Sequence, residues 1–328
     1  MSEEIKKTDA EASETKDKAV KEKKTINFTG KRKVFYIISS LLIIISIAAS
    51  FFGVKIAIEF KGGTMISYSF TGEIDSNAVA NDIKEKTGLL ANVQQGDMFQ
   101  SDNKKLVISI SEGIPAETQN IIKDSLTEKY PDNNLLILDS TGVAASSGTN
   151  FFVKCIVAAA FASLILIIYI AVRFKKISGW SSGLCAVMAL LHDIIITYGA
   201  YIIIGFEINA NFIAVVLTIL GCSINNTIVV YDRIRENRKI MGSASIDELV
   251  NVSTTQSITR SIRTSITTVS TMIIISIVAK MSGVENILSF SIPISIGMTV
   301  GTYSSMCLAP CLWVSMNAKK NAKKEAKA

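Results

Sequence analysis

Several polar residues stand inside otherwise apolar stretches of this chain, and each has a chemistry of its own. His192 and Asp193 are neighbours within the run from Gly183 to Gly205. A histidine beside a carboxylate titrates near neutral pH, so the pair could relay protons or hold an ion. It could equally be a packing pair turned into a helix bundle with its hydrogen bonds satisfied. The run Ala210 to Tyr231 contains Ser223, Asn225 and Asn226 and leads into Asp232 and Arg233. Amides readily bridge helices, and Asp232, at the end of the run, could cap it or pair with Arg235. Arg260 precedes a hydroxyl cluster, Thr264 to Thr268, by one helical turn. Counted from the ends of their runs, Arg260 and Asn226 lie at similar depth, so they could meet. An ionisable side chain at the centre of a membrane helix costs at least ~2.5 kcal/mol on insertion scales, which makes each one a functional candidate. Gly297 and Gly301, four residues apart, are candidates of another kind, because such pairs let helix backbones approach closely. Gly179 and Gly183 repeat the arrangement.

The composition excludes several other chemistries. The chain has one histidine and five cysteines in 328 residues. Cys155, Cys185, Cys222, Cys307 and Cys311 all fall in apolar runs, so no disulfide scaffold is expected. A zinc site of His and Cys is not expected either, and no carboxylates cluster at metal-loop spacing. The hydrophilic segment between the first two apolar runs has no histidine, so it can hold no Ser-His-Asp arrangement. No catalytic residue, metal or cofactor is therefore expected, and the chain does not read as an enzyme.

The elements that must position these residues follow from hydropathy. About 20 apolar residues cross a bilayer, and six stretches fit: Val34 to Val54, Phe152 to Val172, Gly183 to Gly205, Ala210 to Tyr231, Ser265 to Met281 and Ile287 to Val314. The net charge of +6 divides by side. Lys31, Arg32 and Lys33 precede the first span, Arg173, Lys175 and Lys176 follow the second, and Arg233, Arg235, Arg238 and Lys239 follow the fourth. The loop Phe206 to Asn209 has no basic residue. By the positive-inside rule both termini face the cytoplasm and the segment from Lys55 to Asn150 lies outside. That segment has 13 acidic residues against 8 lysines, so the positive charge marks orientation rather than nucleic-acid binding.

The outside segment reads as strand (Thr64 to Phe70), helix (Asn77 to Thr87), strand (Asn92 to Gln100), strand (Lys105 to Ser111), helix (Ala116 to Lys129) and strand (Leu135 to Ser140). That order predicts a small ferredoxin-like α+β domain, a binding or coupling module. The first 27 residues mix Lys and Glu with hardly an aromatic and cannot bury enough surface to fold alone. The expected layout is a disordered cytoplasmic tail at 1–30, a membrane helix at 31–54, an extracytoplasmic α+β domain at 55–150, a five-helix membrane bundle at 151–314 and a basic cytoplasmic tail at 315–328.

Four segments carry a resemblance to a known family. The run IEFKGGT, Ile58 to Thr64, resembles the Asp-Phe-x-Gly-Gly-Thr element just outside the first span of SecF proteins. LGCSINNTIVVYDRIREN, Leu220 to Asn237, is similar to the fourth span of that family, as are ALLHDIIIT in the third span and NVSTTQSITRSIRTSITT leading into the fifth. The resemblance runs from about Asn27 to Val314. It implies a member of the resistance-nodulation-division superfamily that works with SecD beside the SecYEG channel and the ATPase SecA in the bacterial cytoplasmic membrane. The pair would use a proton or sodium gradient, and no bound cofactor, to draw the translocating preprotein outward.

On the resemblance, Gly62 and Gly63 match the family glycines, while His192, Asp193, Asp232, Arg233 and Arg260 match its polar positions. Glu59 stands where the family usually has Asp. Asn226 stands where the family usually has the carboxylate implicated in ion transfer, and an amide does not titrate near neutral pH. Three readings follow: SecD carries the titrating group, Asp193 or His192 has taken over, or the ion is sodium. The competing functions are a small-molecule exporter of the same superfamily and a structural subunit that stabilises SecD and the channel without conducting ions.

Overall fold

The computed structural model describes residues 25–98, 103–143, 145–173, 179–242, 244–282 and 284–325. The first 24 residues of the expected tail, the end of the second expected strand at 99–100, Lys175, Lys176 and residues 326–328 lie outside the described residues. Helix α1 (Arg32–Ala49) leads through a short α2 (Ile58–Lys61) into β1 (Gly63–Phe70), α3 (Ser76–Thr87), β2 (Ala91–Asp97), β3 (Lys104–Ile110), α4 (Ala116–Lys129) and β4 (Leu136–Val143). Helices α5 (Ala145–Arg173), α6 (Gly179–Ile204), α7 (Ala210–Ile240), α8 (Ile246–Met281) and α9 (Glu285–Tyr303) follow; α9 continues through a π-helical turn, Ser304–Leu308, into α10 (Ala309–Glu325).

Six helical segments among the described residues are long and apolar enough to cross a membrane, with α9 and α10 forming one. They sort into inner and outer members. Half of the apolar window of α7 is buried within the chain, against 11% for α8, so α7 is central and α8 peripheral. The outer helices α1, α5 and α8 leave Ile37, Ile44, Phe161, Leu164, Ile274 and Ile277 uncovered. Such a surface suits lipid or a partner helix, not water. A core of Cys185, Leu190, Leu220, Ile224, Tyr231, Ile234 and Trp313 joins α6, α7 and α10.

The outside strands form one antiparallel sheet in the order β2-β3-β1-β4, the ferredoxin-like arrangement. Period-2 alternation drives it. Ile66, Tyr68 and Phe70 of β1 and Leu106, Ile108 and Ile110 of β3 face Val79 and Ile83 of α3 and Ile122 and Leu126 of α4. Asp75 caps α3 by accepting from the Asn77 N–H at 2.9 Å, and Gly88 ends it in the left-handed region at φ 73°.

Four boundaries differ from expectation, each for a physical reason. Residues 25–30, expected in a disordered tail, are strapped to α8. The N–H groups of Phe28 and Thr29 each donate to Asn251 Oδ1 at 2.9 Å, and Asn251 Nδ2 donates to Thr29 Oγ1 at 3.0 Å. Phe28 and Thr29 are buried; the partner that orders them lies more than 200 residues away, where local composition has no sight of it. Helix α8 begins at Ile246 rather than Ser265, capped by Ser245, which accepts from the Glu248 N–H at 3.1 Å. Its added turns are amphipathic, burying Leu249, Val250 and Val252, so a ruler for uniformly apolar segments passes over them. At the other end, α10 runs on to Glu325 with Asn317 buried, so the bundle continues into the expected tail. Helix α5 starts at Ala145, inside the expected outside domain, where Gly148 lets it meet α2 closely: a Cβ at Gly148 would lie 2.9 Å from the Gly62 nitrogen.

The Gly62–Gly63 pair turns the chain from α2 into the sheet at φ 81° and 140°. A Cβ at Gly63 would sit 2.2 Å from the carbonyl oxygen of Ile110. Gly63→Ala is therefore expected to lower stability by about 3 kcal/mol, read from the thermal unfolding of the purified chain in detergent.

Asp82 of α3 supports the domain electrostatically. Burial pushes its carboxyl up, but the hydrogen bond from Ser125 and the Lys129 ammonium at 3.2 Å outweigh that and hold it below the usual carboxylate range. A depressed acid adds stability above its unfolded value, near 3.9, and that stability is lost as pH falls through the folded value. Asp82→Asn should thus cost about 1 kcal/mol at pH 7 and nothing at pH 2, measured by denaturant unfolding at the two pH values.

Candidate functional site

The buried carboxylate of Asp193 is the centre of the polar membrane site. Its residue is wholly buried in α6, and His192 beside it is 3% exposed. His192 Nδ1 lies 2.9 Å from Asp193 Oδ1. Ser223 of α7 donates to Asp193 Oδ2 at 2.7 Å, and Ser304 of the π turn donates to the same oxygen at 2.7 Å. Three helical segments thus converge on one carboxylate. A second layer joins the donors: Ser305 donates to the Ser223 carbonyl at 3.0 Å and Thr227 donates to Ser305 Oγ at 2.9 Å.

The π turn explains how two successive serines reach one interface. Pro310 lies just beyond it and has no N–H for the Met306 carbonyl; its ring also crowds that carbonyl, which widens the preceding turn. Close approach is set by glycine. A Cβ at Gly297 would lie 2.1 Å from Ile219, and one at Gly301 would lie 3.2 Å from Ser223 and 3.4 Å from Asp193 Oδ2. Gly297 and Gly301 therefore let α9 lie close against α6 and α7 at the depth of the carboxylate.

His192 completes the site in an unusual way. Its Nδ1 is engaged, but its buried Nε2 has no hydrogen-bond partner among the described residues. The ring lies beside Tyr303, at 6.3 Å between centroids. Tyr303 in turn donates to the Phe35 carbonyl of α1 at 3.0 Å, so the histidine sits under a link to the first span. A buried ring nitrogen without a partner is costly and rare.

The other expected site residues are dispersed. Asn226 is buried on α7. Arg260 is exposed on α8 and forms neither an ion pair nor a hydrogen bond with Asn226 among the described residues, so similar depth does not bring the two together. Arg260, Thr264, Thr267 and Thr271 instead share an uncovered face, with the three threonines bonding back to carbonyls of their own helix. Asp232 lies toward the C-terminal end of α7, with Arg173 at 3.2 Å and Arg235 at 3.0 Å, and ties α5 to α7. Arg233 Nε donates to Gln256 at 2.6 Å, linking α7 to α8.

Sequence reasoning missed Thr227, Ser304 and Ser305. Single serines in apolar helices are common, and the signal that sets these apart is Pro310 five residues after a Ser-Ser pair. On the outer side, Glu59 Oε2 accepts the N–H of Ala210 at 2.8 Å, so the carboxylate after the first span sits on the N-terminus of α7. That contact needs an accepting oxygen at position 59, and Glu supplies it.

A chain of six membrane spans with one ferredoxin-like domain between the first and second, and a hydroxyl-ringed carboxylate in the bundle, defines a membrane transport subunit. Residues 121–319 match the family described as protein export membrane protein SecD/SecF, C-terminal. The protein translocase subunit SecF of Endomicrobium trichonymphae is 32% identical over 235 residues, covering 70% of this chain and 73% of that one. That of Calditerrivibrio nitroreducens is 33% identical over 248 residues, covering 73% and 78%. The crystal structure of a Thermus SecDF, described as a translocon-associated membrane protein, superposes with a TM-score of 0.76 at 27% identity. The match covers 90% of this chain and 39% of that one, so the present chain spans well under half of the SecDF polypeptide. The chain belongs to the SecF family of multi-pass protein-export membrane proteins.

Replacing Asp193 separates packing from charge. Asp193→Leu should destabilise the chain by about 3 kcal/mol, because Ser223 and Ser304 lose their acceptor in a dry interior, whereas Asp193→Asn should cost about half as much. Unfolding of the two variants in the same detergent, monitored by circular dichroism, measures the difference.

Proposed function

We propose that this chain is the SecF half of a two-subunit export accessory. Its partner is a SecD-type chain, and the pair acts beside the SecYEG channel and SecA on a preprotein emerging outside the bacterial cytoplasmic membrane. The observation that carries this reading is the superposition on SecDF over 90% of the chain. The fraction of SecDF that it leaves unmatched is what a separate SecD would supply. Both termini are assigned to the cytoplasm, from the lysines and arginines near the inner ends of the spans.

The driving force is a transmembrane ion gradient, with the proton as the ion. Three donors surround Asp193, a setting for a carboxylate that gains and loses a proton. When ionised it holds Ser223, Ser304 and His192; when protonated it becomes a donor itself, and one of those contacts must reorganise. That change acts on α6, α7 and the π turn together, a switch between two packings that a gradient can bias. Asn226 does not titrate, so in this chain Asp193 carries the exchange, with His192 placed against it. Arg260, on the uncovered face of α8, is assigned to the partner's membrane half, which would meet it with a carboxylate.

The test uses inverted vesicles that contain the channel, SecA and the paired subunits. After ATP removal, gradient-driven completion of preprotein transport should fall about tenfold in Asp193→Asn and in Arg260→Ala. If both proceed at the wild-type rate, the ion path is wrong. The amide at 226 favours a second reading, a subunit that only stabilises its partner; equal proton currents with and without this chain, at constant SecD, would select it.

A further inference from the structure

We infer that Glu207 is a positioning residue that links the outside domain to the polar membrane site, with Asn92 and Gln94 as its partners. This rests on the ion-coupled reading above and adds the element that transmits it. Helices α6 and α7 carry Asp193 and Ser223, whose hydrogen bond lies between them, and the same two helices are joined outside by the loop 205–209. Gly205, at φ 89°, ends α6, and Asn209 caps α7 by accepting from the Phe212 N–H at 3.3 Å. Anything that grips this loop therefore acts on both sides of the Asp193–Ser223 bond.

Two parts of the chain grip it. The first is the segment leaving α1: Ala57 N–H donates to the Ile208 carbonyl at 3.0 Å and Ile208 N–H donates to the Lys55 carbonyl at 2.8 Å. These backbone bonds, together with Glu59 on the N-terminus of α7, form a partly buried joint that is continuous with β1 through Gly62 and Gly63. The second is the sheet itself. Asn92 Nδ2 and Gln94 Nε2 donate to the same oxygen, Glu207 Oε1, at 3.0 and 2.9 Å. Asn92 and Gln94 are two apart on β2 and pair with Ser109 and Val107 of β3, so they share the sheet face opposite α3 and α4.

The two grips differ in kind. The joint is backbone and partly buried, whereas the Glu207 contact is made by side chains alone, with Asn92 exposed and Gln94 and Glu207 half-buried, and can open without breaking any ladder. On the sheet it engages β2, the edge strand opposite β4, whereas the joint leads into β1. With the contact made, the domain and the α6–α7 hairpin move as one body; with it open, the domain turns about the Gly62–Gly63 joint. Glu207 acts through this geometry and touches neither Asp193 nor its donors.

The experiment uses the chain with its SecD-type partner in vesicles, with native cysteines replaced and spin labels at the exposed positions Leu90 and Ile203. Wild type should give one narrow distance distribution, Glu207→Ala a broadened one, and Glu207→Gln, which keeps an accepting oxygen, the narrow one again. Gradient-driven completion of transport should fall about tenfold in Glu207→Ala and return in Glu207→Gln, while ATP-driven early transport stays unchanged. An unchanged distance distribution in Glu207→Ala overturns the contact whatever transport does. A broadened distribution with wild-type completion, in vesicles where Asp193→Asn is impaired, overturns the coupling alone. If Asp193→Asn also transports normally, the ion-coupled reading has failed and the coupling falls with it.

Discussion

A single buried carboxylate organises the membrane half of this protein. Asp193 lies fully inside the bundle, where an ionised group without partners would be prohibitive, so three segments must come close enough to serve it. That requirement reaches far along the chain. It places serines at 223 and 304, glycines at 297 and 301, and a proline at 310 that opens the helix so that Ser304 and Ser305 both turn inward. Packing alone would favour an uninterrupted sixth span with larger residues at its interface. The interruption delivers hydroxyls to a charge, and Gly301 makes room for Ser223 and Asp193 while Gly297 admits Ile219.

The outside domain is attached by a different logic. In water its fold needs no more than an alternating sheet with two helices over one face, and Ile66, Phe70, Leu106 and Ile108 supply that core. What ties it to the bundle combines packing of Phe60 against Tyr201 and Ile208 with polar contacts: a backbone bridge at Ile56 and Ile208, and a carboxylate, Glu59, on the first free N–H of α7. A helix N-terminus at the membrane surface has unsatisfied donors that lipid cannot serve, so a side chain from the neighbouring segment is the natural answer.

Much of this was legible in the sequence, and the reasons for the exceptions are instructive. Helix 116–129 falls where the expected strand and helix order puts it, and the six spans follow from apolar length, because both signals are local. The failures share a cause: depth along a helix is readable from counting, but the face it presents is not. Arg260 and Asn226 sit at similar depth, yet α8 turns Arg260 outward while α7 buries Asn226. The strap at 25–30 was invisible because the amide that fixes it, Asn251, lies on the fifth span. The hydroxyls of the site were overlooked because a serine in a membrane helix usually bonds its own backbone, as Ser291 and Thr299 do here.

The amide at position 226 also has a physical consequence inside this chain. Asn226 stands one turn beyond Ser223 on α7, roughly 4.5 Å further along the axis, and Ser223 touches Asp193. A carboxylate at 226 would bring a second negative charge toward the same low-dielectric interior, and two such groups cannot both ionise there at neutral pH. The neutral amide removes that competition and leaves Asp193 as the acid that His192 and the serines are arranged around. Arg260 then has no reason to turn inward, since no second anion awaits it on α7. Its exposed position on α8 agrees with the neutral amide at 226.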